Sequence, residues 1–202
     1  MFTGIIESMA SVINIEEREG NRTFIMKSPA AGDFYVNQSV SHNGVCLTVE
    51  STEKPDLYGV TAIEETLKKT MLGQLKMNSR VNLERSLTPS TRMDGHFVQG
   101  HVDVCGRVLK IRNLGGSFEY LISYPRAHED LIVPRGSICI NGISLTVADS
   151  LTPEGDLAFF TVAIIPHTSE NTNIRDWKEG DSVNLEFDVL GKYVIQFLSR
   201  RV

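Results

Sequence analysis

The sequence predicts an all-β chain: two homologous closed β-barrels in tandem, followed by one amphipathic helix. Three observations predict it. The chain repeats itself, its segments are short and strand-like with turn residues between them, and its last stretch has helical apolar spacing with no counterpart earlier.

The repeat comes first because it decides the architecture. Ser41-His42-Asn43-Gly44-Val45-Cys46-Leu47-Thr48-Val49 reads onto Cys139-Ile140-Asn141-Gly142-Ile143-Ser144-Leu145-Thr146-Val147, 98 residues later. Both copies carry Asn-Gly followed by apolar-x-Leu-Thr-Val. Val81-Asn82-Leu83-Glu84 recurs letter for letter as Val183-Asn184-Leu185-Glu186. Gly4-Ile5-Ile6-Glu7 pairs with Gly100-His101-Val102-Asp103, and Val12 and Ile15 then match Val108 and Ile111. Three collinear matches with similar shifts point to duplication. The halves are read as 1–92 and 93–188, with a turn-rich join at Thr88-Pro89-Ser90 and Met93-Asp94-Gly95 just after it.

Each half is β-rich. Thr23-Phe24-Ile25-Met26-Lys27 and Phe118-Glu119-Tyr120-Leu121-Ile122 show alternation or short apolar runs. The two Asn-Gly dipeptides sit between strand-like flanks, the strongest short hairpin signal. Each half has one short helical candidate, Glu64-Glu65-Thr66-Leu67-Lys68-Lys69-Thr70 in the first and a segment from about Thr168-Ser169-Glu170 in the second. Six or so short strands with one helical turn imply a small closed barrel per half.

The tail, 189–202, is different. Leu190, Tyr193, Val194, Phe197 and Leu198 fall at i, i+3, i+4, i+7 and i+8, the apolar stripe of an amphipathic helix. Such a helix could lie on its own barrel or assemble subunits. Assembly is the favoured reading, because two finished barrels have little need of a third apolar element.

Composition removes several function classes. A net charge of −5 with scattered Lys and Arg argues against nucleic acid, whose phosphates need basic surface. No apolar run approaches the ~20 residues needed to span a bilayer. The N-terminus lacks the basic region and apolar core of a secretory signal. Cys46, Cys105 and Cys139 show no CxxC spacing and read as reduced thiols, so the expected compartment is the cytoplasm. His96 and His101 stand five apart without further ligands, so no metal site is expected.

The residues that carry the repeat also carry a resemblance. Met1-Phe2-Thr3-Gly4-Ile5-Ile6-Glu7, Asn43-Gly44-Val45-Cys46-Leu47-Thr48-Val49, Val81-Asn82-Leu83-Glu84-Arg85-Ser86-Leu87, Gly95-His96-Phe97-Val98-Gln99-Gly100-His101-Val102-Asp103 and Asn141-Gly142-Ile143-Ser144-Leu145-Thr146-Val147 look like riboflavin synthases, in order and along the whole chain. The resemblance implies six-stranded Greek-key barrels, a trimerisation helix and one lumazine per barrel. It implies four-carbon transfer between two molecules of 6,7-dimethyl-8-ribityllumazine, giving riboflavin and 5-amino-6-ribitylaminouracil, with no metal or cofactor. Lumazine synthase is the protein partner that it raises. One departure is Asn141, where some members carry an acid.

Duplicated halves offer an internal control, because positions that differ can carry different jobs. Cys46 stands where the second half has Ser144, and Ile5 where it has His101. His101 is the first candidate for proton transfer, since an imidazole both takes and gives protons near neutral pH. Cys46 is a candidate thiolate nucleophile or simply a small buried apolar residue. Ser144 is a candidate hydrogen-bond donor or a strand serine capping a turn. The resemblance places Asp188 near the site, although it also suits a helix N-cap. Phe2 is a candidate stacking partner for a pteridine ring or a hydrophobic anchor.

The resemblance also carries over binding segments. In the first half these are Gly4, Ile5, Ile6, then Val45, Cys46, Leu47 and Thr48, then Val60, Thr61, Ala62, Ile63, Glu64 and Glu65. In the second they are Gln99, Gly100, His101, then Arg135, then Ile143, Ser144, Leu145 and Thr146, then Val162, Ala163, Ile164, Ile165, Pro166 and His167. Assembly is expected to bring the first barrel of one subunit against the second of its neighbour, with Cys46 and His101 of different chains meeting there. The alternative within the superfamily is a non-catalytic lumazine- or flavin-binding antenna protein, and outside it a nucleic-acid-binding tandem barrel.

Overall fold

The computed structural model describes residues 1–200. The first barrel comprises β1 (Ser8–Arg18), β2 (Asn21–Lys27), β3 (Ser39–His42), β4 (Val45–Lys54), β5 (Leu57–Ala62) and β6 (Arg80–Arg85), with α1 (Glu64–Lys69) between the last two strands. The second repeats the plan with β7 (Val104–Asn113), β8 (Phe118–Pro125), β9 (Ser137–Ile140), β10 (Ile143–Glu154), β11 (Leu157–Ile164) and β12 (Ser182–Phe187), and α2 (Pro166–Asn171) precedes β12. A terminal α3 (Val189–Ser199) follows. Both sheets close, in the orders β1-β2-β5-β4-β3-β6 and β7-β8-β11-β10-β9-β12. Closure leaves no free sheet edge.

The repeat is visible in the backbone. Asn43 and Asn141 adopt φ of 48° and 47°, each followed by a left-handed glycine, as a two-residue hairpin turn requires. Register shifts between Val12 and Asn14 in β1 and between Val108 and Lys110 in β7 fall at matched positions. A second pair falls after Val49 in β4 and after Val147 in β10. Such bulges bend strands and help a small sheet to close.

Alternation fills each interior. Phe24, Met26, Val40, Val49, Val60 and Val81 are wholly buried in the first barrel, and Ile122, Ile138, Val147, Phe160, Val162 and Val183 in the second. In the first barrel, His42 and Tyr58 bring polar groups into this interior. His42 Nδ1 donates to the Val40 carbonyl at 3.0 Å, and Nε2 accepts from the Tyr58 hydroxyl at 2.9 Å. Burial pushes His42 down to about 4, so the ring is neutral in the folded chain.

The barrels meet through their matched asparagines. Asn82 N–H donates to Asn43 Oδ1 and Asn184 N–H to Asn141 Oδ1, both at 2.8 Å. Across the junction, Asn82 Nδ2 donates to the Asn141 carbonyl at 3.0 Å and Asn184 Nδ2 to the Asn43 carbonyl at 2.8 Å. All four are buried, and each bond has its twin, so the junction has local two-fold pseudosymmetry. Buried amides need such full pairing, since an unpaired one costs ~1–3 kcal/mol.

Helix α3 stands apart. Asp188 caps it by accepting the Leu190 N–H at 3.0 Å. Leu190, Tyr193, Val194, Phe197 and Leu198 are 55–68% exposed, so more than half of the stripe faces solvent. No helix among the described residues is long and apolar enough to cross a membrane.

Candidate active site

Two arms precede the barrels, residues 1–7 before β1 and 95–103 before β7, and they pair with each other. Phe2 N–H donates to the Val98 carbonyl at 2.7 Å, and Val98 N–H returns to the Phe2 carbonyl at 3.1 Å. His96 N–H donates to the Thr3 carbonyl at 3.0 Å. The Phe2 ring is wholly buried with Val98, Cys139 and Cys46, so it anchors the paired arms and presents no open face for stacking.

Each arm then crosses to the opposite barrel. The Gly100 carbonyl accepts the Cys46 N–H of the first barrel at 2.9 Å, and the Gly4 carbonyl accepts the Ser144 N–H of the second at 2.7 Å. These crossings need glycine twice over. Both residues have left-handed φ, 82° and 79°. A Cβ at Gly100 would lie 2.6 Å from Cys46 Cβ, and one at Gly4 would lie 2.6 Å from Ser144 Cβ. No other residue fits.

The crossing assembles an open hollow of about 490 Å³ on the first barrel. Cys46, Glu65, Lys69, Gly100, His101 and Val102 are among the residues that line it. Cys46 and His101 therefore stand together within one chain, which corrects the expectation that they meet from different subunits. Gln99-Gly100-His101 serves the first barrel, although it lies in the second half of the sequence. Likewise Gly4-Ile5-Ile6 serves the second barrel.

On the second barrel, Ser144 Oγ lies 2.7 Å from His96 Nδ1. His96 is almost fully buried, and burial lowers its pKa while Asp188 opposes the shift. Further along the arm, Ile6, His167, Glu170 and Asn171 line a broader open hollow of about 940 Å³, reaching along β1 to Arg80. The two hollows share a frame but differ in chemistry. Cys46, Glu65 and His101 line the first, and Ile6, His167 and Glu170 line the second, while the Ser144–His96 contact lies at the arm crossing and outside the second hollow's lining.

The remaining binding candidates divide by alternation. Val45, Leu47, Val60, Ala62, Ile143, Val162 and Ile164 turn their side chains into the cores, and Val45 also borders the Cys46 hollow. Thr48 and Thr146 are exposed, on the face of Cys46 and Ser144. Leu145 is partly buried against the second core. Thr61 hydrogen-bonds Glu50 and Thr23, and Ala163 is exposed. Ile63 and Ile165 are exposed at the two helix starts, where Glu64 and Glu65 open α1 and Pro166 and His167 open α2. Arg135 sits in an exposed turn at φ 66° and lines neither hollow.

Three residues escaped sequence reasoning. In the sequence, His96 enters through its spacing to His101 and one resemblance segment, and Glu84 and Glu186 enter as letters of the repeat, none with a role. Glu84 accepts from the Thr3 N–H, the Thr3 hydroxyl and the Gly4 N–H. Glu186 accepts from the N–H groups of Gln99, Gly100 and His101. The available signal is that Asn and Glu recur with their apolar neighbours in both copies of the strand, while the flanking letters, Arg80 and Arg85 against Ser182 and Phe187, differ. Among the described residues, no three His, Cys, Asp or Glu side chains cluster as metal ligands.

A tandem pair of closed barrels, each with a hollow completed by the other's arm, defines a class of duplicated small-molecule-binding protein. The lumazine binding domain pattern matches residues 3–86 and 99–188, and the chain belongs to that family. It falls with the family's riboflavin synthases, which are enzymes. The riboflavin synthase of Actinobacillus pleuropneumoniae is 41% identical over all of this chain and 91% of its own length. That of Mycobacterium tuberculosis is 37% identical over 96% of each chain, and that of Bacillus subtilis is 34% identical over 99% of this chain and 91% of its own. Among solved structures, LumP complexed with 6,7-dimethyl-8-(1'-D-ribityl) lumazine superposes with a TM-score of 0.79 at 20% identity, covering 93% of this chain and 99% of LumP. LumP complexed with riboflavin gives 0.81 at 20% identity, with the same coverage. These two likenesses establish the shared fold.

Proposed function

We propose that the chain converts two molecules of 6,7-dimethyl-8-ribityllumazine into riboflavin and 5-amino-6-ribitylaminouracil, as the final step of riboflavin formation. One molecule gives up a four-carbon unit and the other accepts it, so atoms balance without an oxidant or reductant. The observation that supports the reading is the duplicated arm crossing with unlike residues at matched places, Cys46 with His101 on one barrel and Ser144 with Ile5 on the other. A donor and an acceptor of one compound need the same frame and different reactive groups.

The chemistry asks little of the protein. The C7 methyl of the lumazine is already acidic, because its anion delocalises into the ring. Holding two molecules against each other supplies up to ~7–11 kcal/mol of barrier reduction. His101 moves protons, a contribution of ~10²–10⁴ in rate. Cys46 and Ser144 face the two ligands, Glu65 and His167 meet the ribityl chains, and Phe2 holds the arms in place. Asp188 acts through the α3 cap and its field on His96.

The same reading makes the protein a homotrimer joined by α3, with the first barrel of one subunit facing the second of its neighbour. Its compartment is the cytoplasm, in keeping with the free thiols Cys46, Cys105 and Cys139. Lumazine synthase is the proposed protein partner, tested by co-sedimentation of the two purified proteins. The deciding experiment is incubation with 6,7-dimethyl-8-ribityllumazine alone. Riboflavin fluorescence should appear. Tight binding without turnover would instead indicate a chromophore carrier.

A further inference from the structure

The two buried carboxylates that hold the arms are not equivalent. Glu84 and Glu186 are the last letters of the matched Val-Asn-Leu-Glu segments, on β6 and β12. They are 4% and 2% exposed, and each accepts three hydrogen bonds from an arm. The difference lies at the position where the halves carry Ile5 and His101. Ile5 N–H turns away from Glu84 and donates to the Thr3 hydroxyl at 3.2 Å. His101 N–H donates directly to Glu186 Oε2 at 2.8 Å. The carboxylate grips the residue itself only where that residue is histidine.

We propose that Glu186 is a positioning residue for His101, fixing the arm so that the imidazole lines the Cys46 hollow. The inference rests on the proton-transfer role given to His101 above. The arm around His101 is irregular backbone outside the barrel's strands, held on one side by the Val98–Phe2 pairing and on the other by Asp103 N–H donating to the Leu185 carbonyl at 2.9 Å. Gly100 gives one backbone bond, to Cys46, and Asp103 secures the far end by accepting the Phe187 N–H at 2.9 Å and pairing with Lys192 at 2.5 Å. Between these points, three adjacent N–H groups converge on one carboxylate. Charge-assisted bonds of this kind are about twice as strong as neutral ones.

The bonds also require the ionised form. Burial raises the Glu186 pKa, while the three backbone donors and nearby Lys192 pull it back. A glutamine in this place keeps the shape but turns an NH2 group towards donors that need an acceptor. The arm must then shift. A displacement of about 1 Å at a reacting group can cost ~10²-fold in rate.

A double-mutant cycle with Glu186→Gln and His101→Gln tests this, because residues acting through one another lose additivity. E186Q should lower kcat about tenfold or more, with KM within about threefold of the parent. In the H101Q background the same substitution should cost about twofold or less. Equal factors in both backgrounds, or full turnover by E186Q, would overturn the positioning role while leaving His101 in place. Full turnover by H101Q alone would instead overturn the role of His101, and the inference with it. If E186Q yields no soluble protein, Glu186→Asp, which keeps the charge but retracts it by one methylene, enters the same cycle with the same criteria.

Discussion

The Gly100 carbonyl accepts the Cys46 N–H at 2.9 Å, a contact between residues from opposite halves of the chain. Its twin joins Gly4 to Ser144. Neither half therefore completes a hollow alone. Whatever occupies the first barrel touches an arm that belongs to the second, and the Phe2–Val98 pairing ties the two arms together.

The first expectation concerns His101. It stands where the other half has Ile5, it is exposed, and it borders the Cys46 hollow. His101→Gln should cut turnover by about tenfold or more, in line with the loss of a general acid–base group. Its melting temperature should stay within a few degrees, because no core contact depends on the ring. Full activity in steady-state assays would refute the role.

Phe2 predicts the opposite pattern. Its ring is wholly buried beneath both arms. Phe2→Ala removes that anchor, and truncations of buried phenylalanine typically cost ~3–5 kcal/mol. Here the loss should fall locally on the arms. Turnover should disappear while the barrels keep their circular dichroism, and amide exchange should accelerate at 2–4 and 96–101. Unchanged exchange there would argue that the arms hold without Phe2.

The His42–Tyr58 pair makes a pH prediction. The unfolded chain protonates His42 below about pH 6.5, whereas the folded chain resists until about 4. Stability is therefore fully present above about pH 6.5 and falls as pH drops through that window, by about 3 kcal/mol in all. The second barrel carries Ile140 and Phe160 at the matched places. His42→Ile with Tyr58→Phe should flatten the acid limb of urea-derived stability. Tyr58→Phe alone should cost ~1–3 kcal/mol, since Nε2 loses its donor. An acid limb unchanged in the double variant would assign it to other groups.

Turnover should also be indifferent to chelation. The proposed reaction transfers carbon between two copies of one compound and calls for proton movement and positioning alone. Exhaustive dialysis against a chelator should leave kcat unchanged. Activity lost on dialysis and restored by one added metal would contradict the mechanism.

The sequence made the barrels legible because duplication doubled every signal. The Asn43-Gly44 and Asn141-Gly142 turns, α1 at Glu64 and the α3 stripe all fall where spacing and turn chemistry put them. Which barrel each arm serves was not legible. Residues 1–7 and 95–103 have no strand periodicity, and their destination is set by long-range bonds such as Gly100 to Cys46. The polar letters of Val-Asn-Leu-Glu were legible as a match but not as chemistry. In a strand, an asparagine at a barrel junction and a glutamate beneath an arm look the same as exposed polar residues. His96 was hidden differently, because it lies at the start of the second arm, where the repeat offers no counterpart for comparison.

The last prediction concerns α3. Its stripe is more than half exposed, yet Asp188 caps the helix and Lys192 pairs with Asp103 at its base. An apolar face presented on a fixed axis is a surface awaiting burial, and exposing it to water costs ~25 cal/mol for each Å². Three copies around one axis would bury it. Because Cys46 and His101 line one hollow within one chain, the proposed trimer would bring the two different hollows together across subunits. Val194→Glu with Phe197→Glu should give monomers by light scattering. Those monomers should keep the parent melting temperature within a few degrees and bind lumazine, but turn it over about 10²-fold more slowly or worse, as the lost juxtaposition requires. Mixed assemblies offer a second reading of the same geometry. A His101→Gln chain combined with a chain whose second hollow is blocked by His167→Trp should regain part of the activity, since some interfaces then pair two intact hollows. A Cys46-defective chain combined with a His101-defective chain should regain none, because both lesions fall on the same side of every interface. Recovery in that second mixture, or full turnover by the glutamate-substituted monomer, would show that the reaction does not need hollows from two subunits.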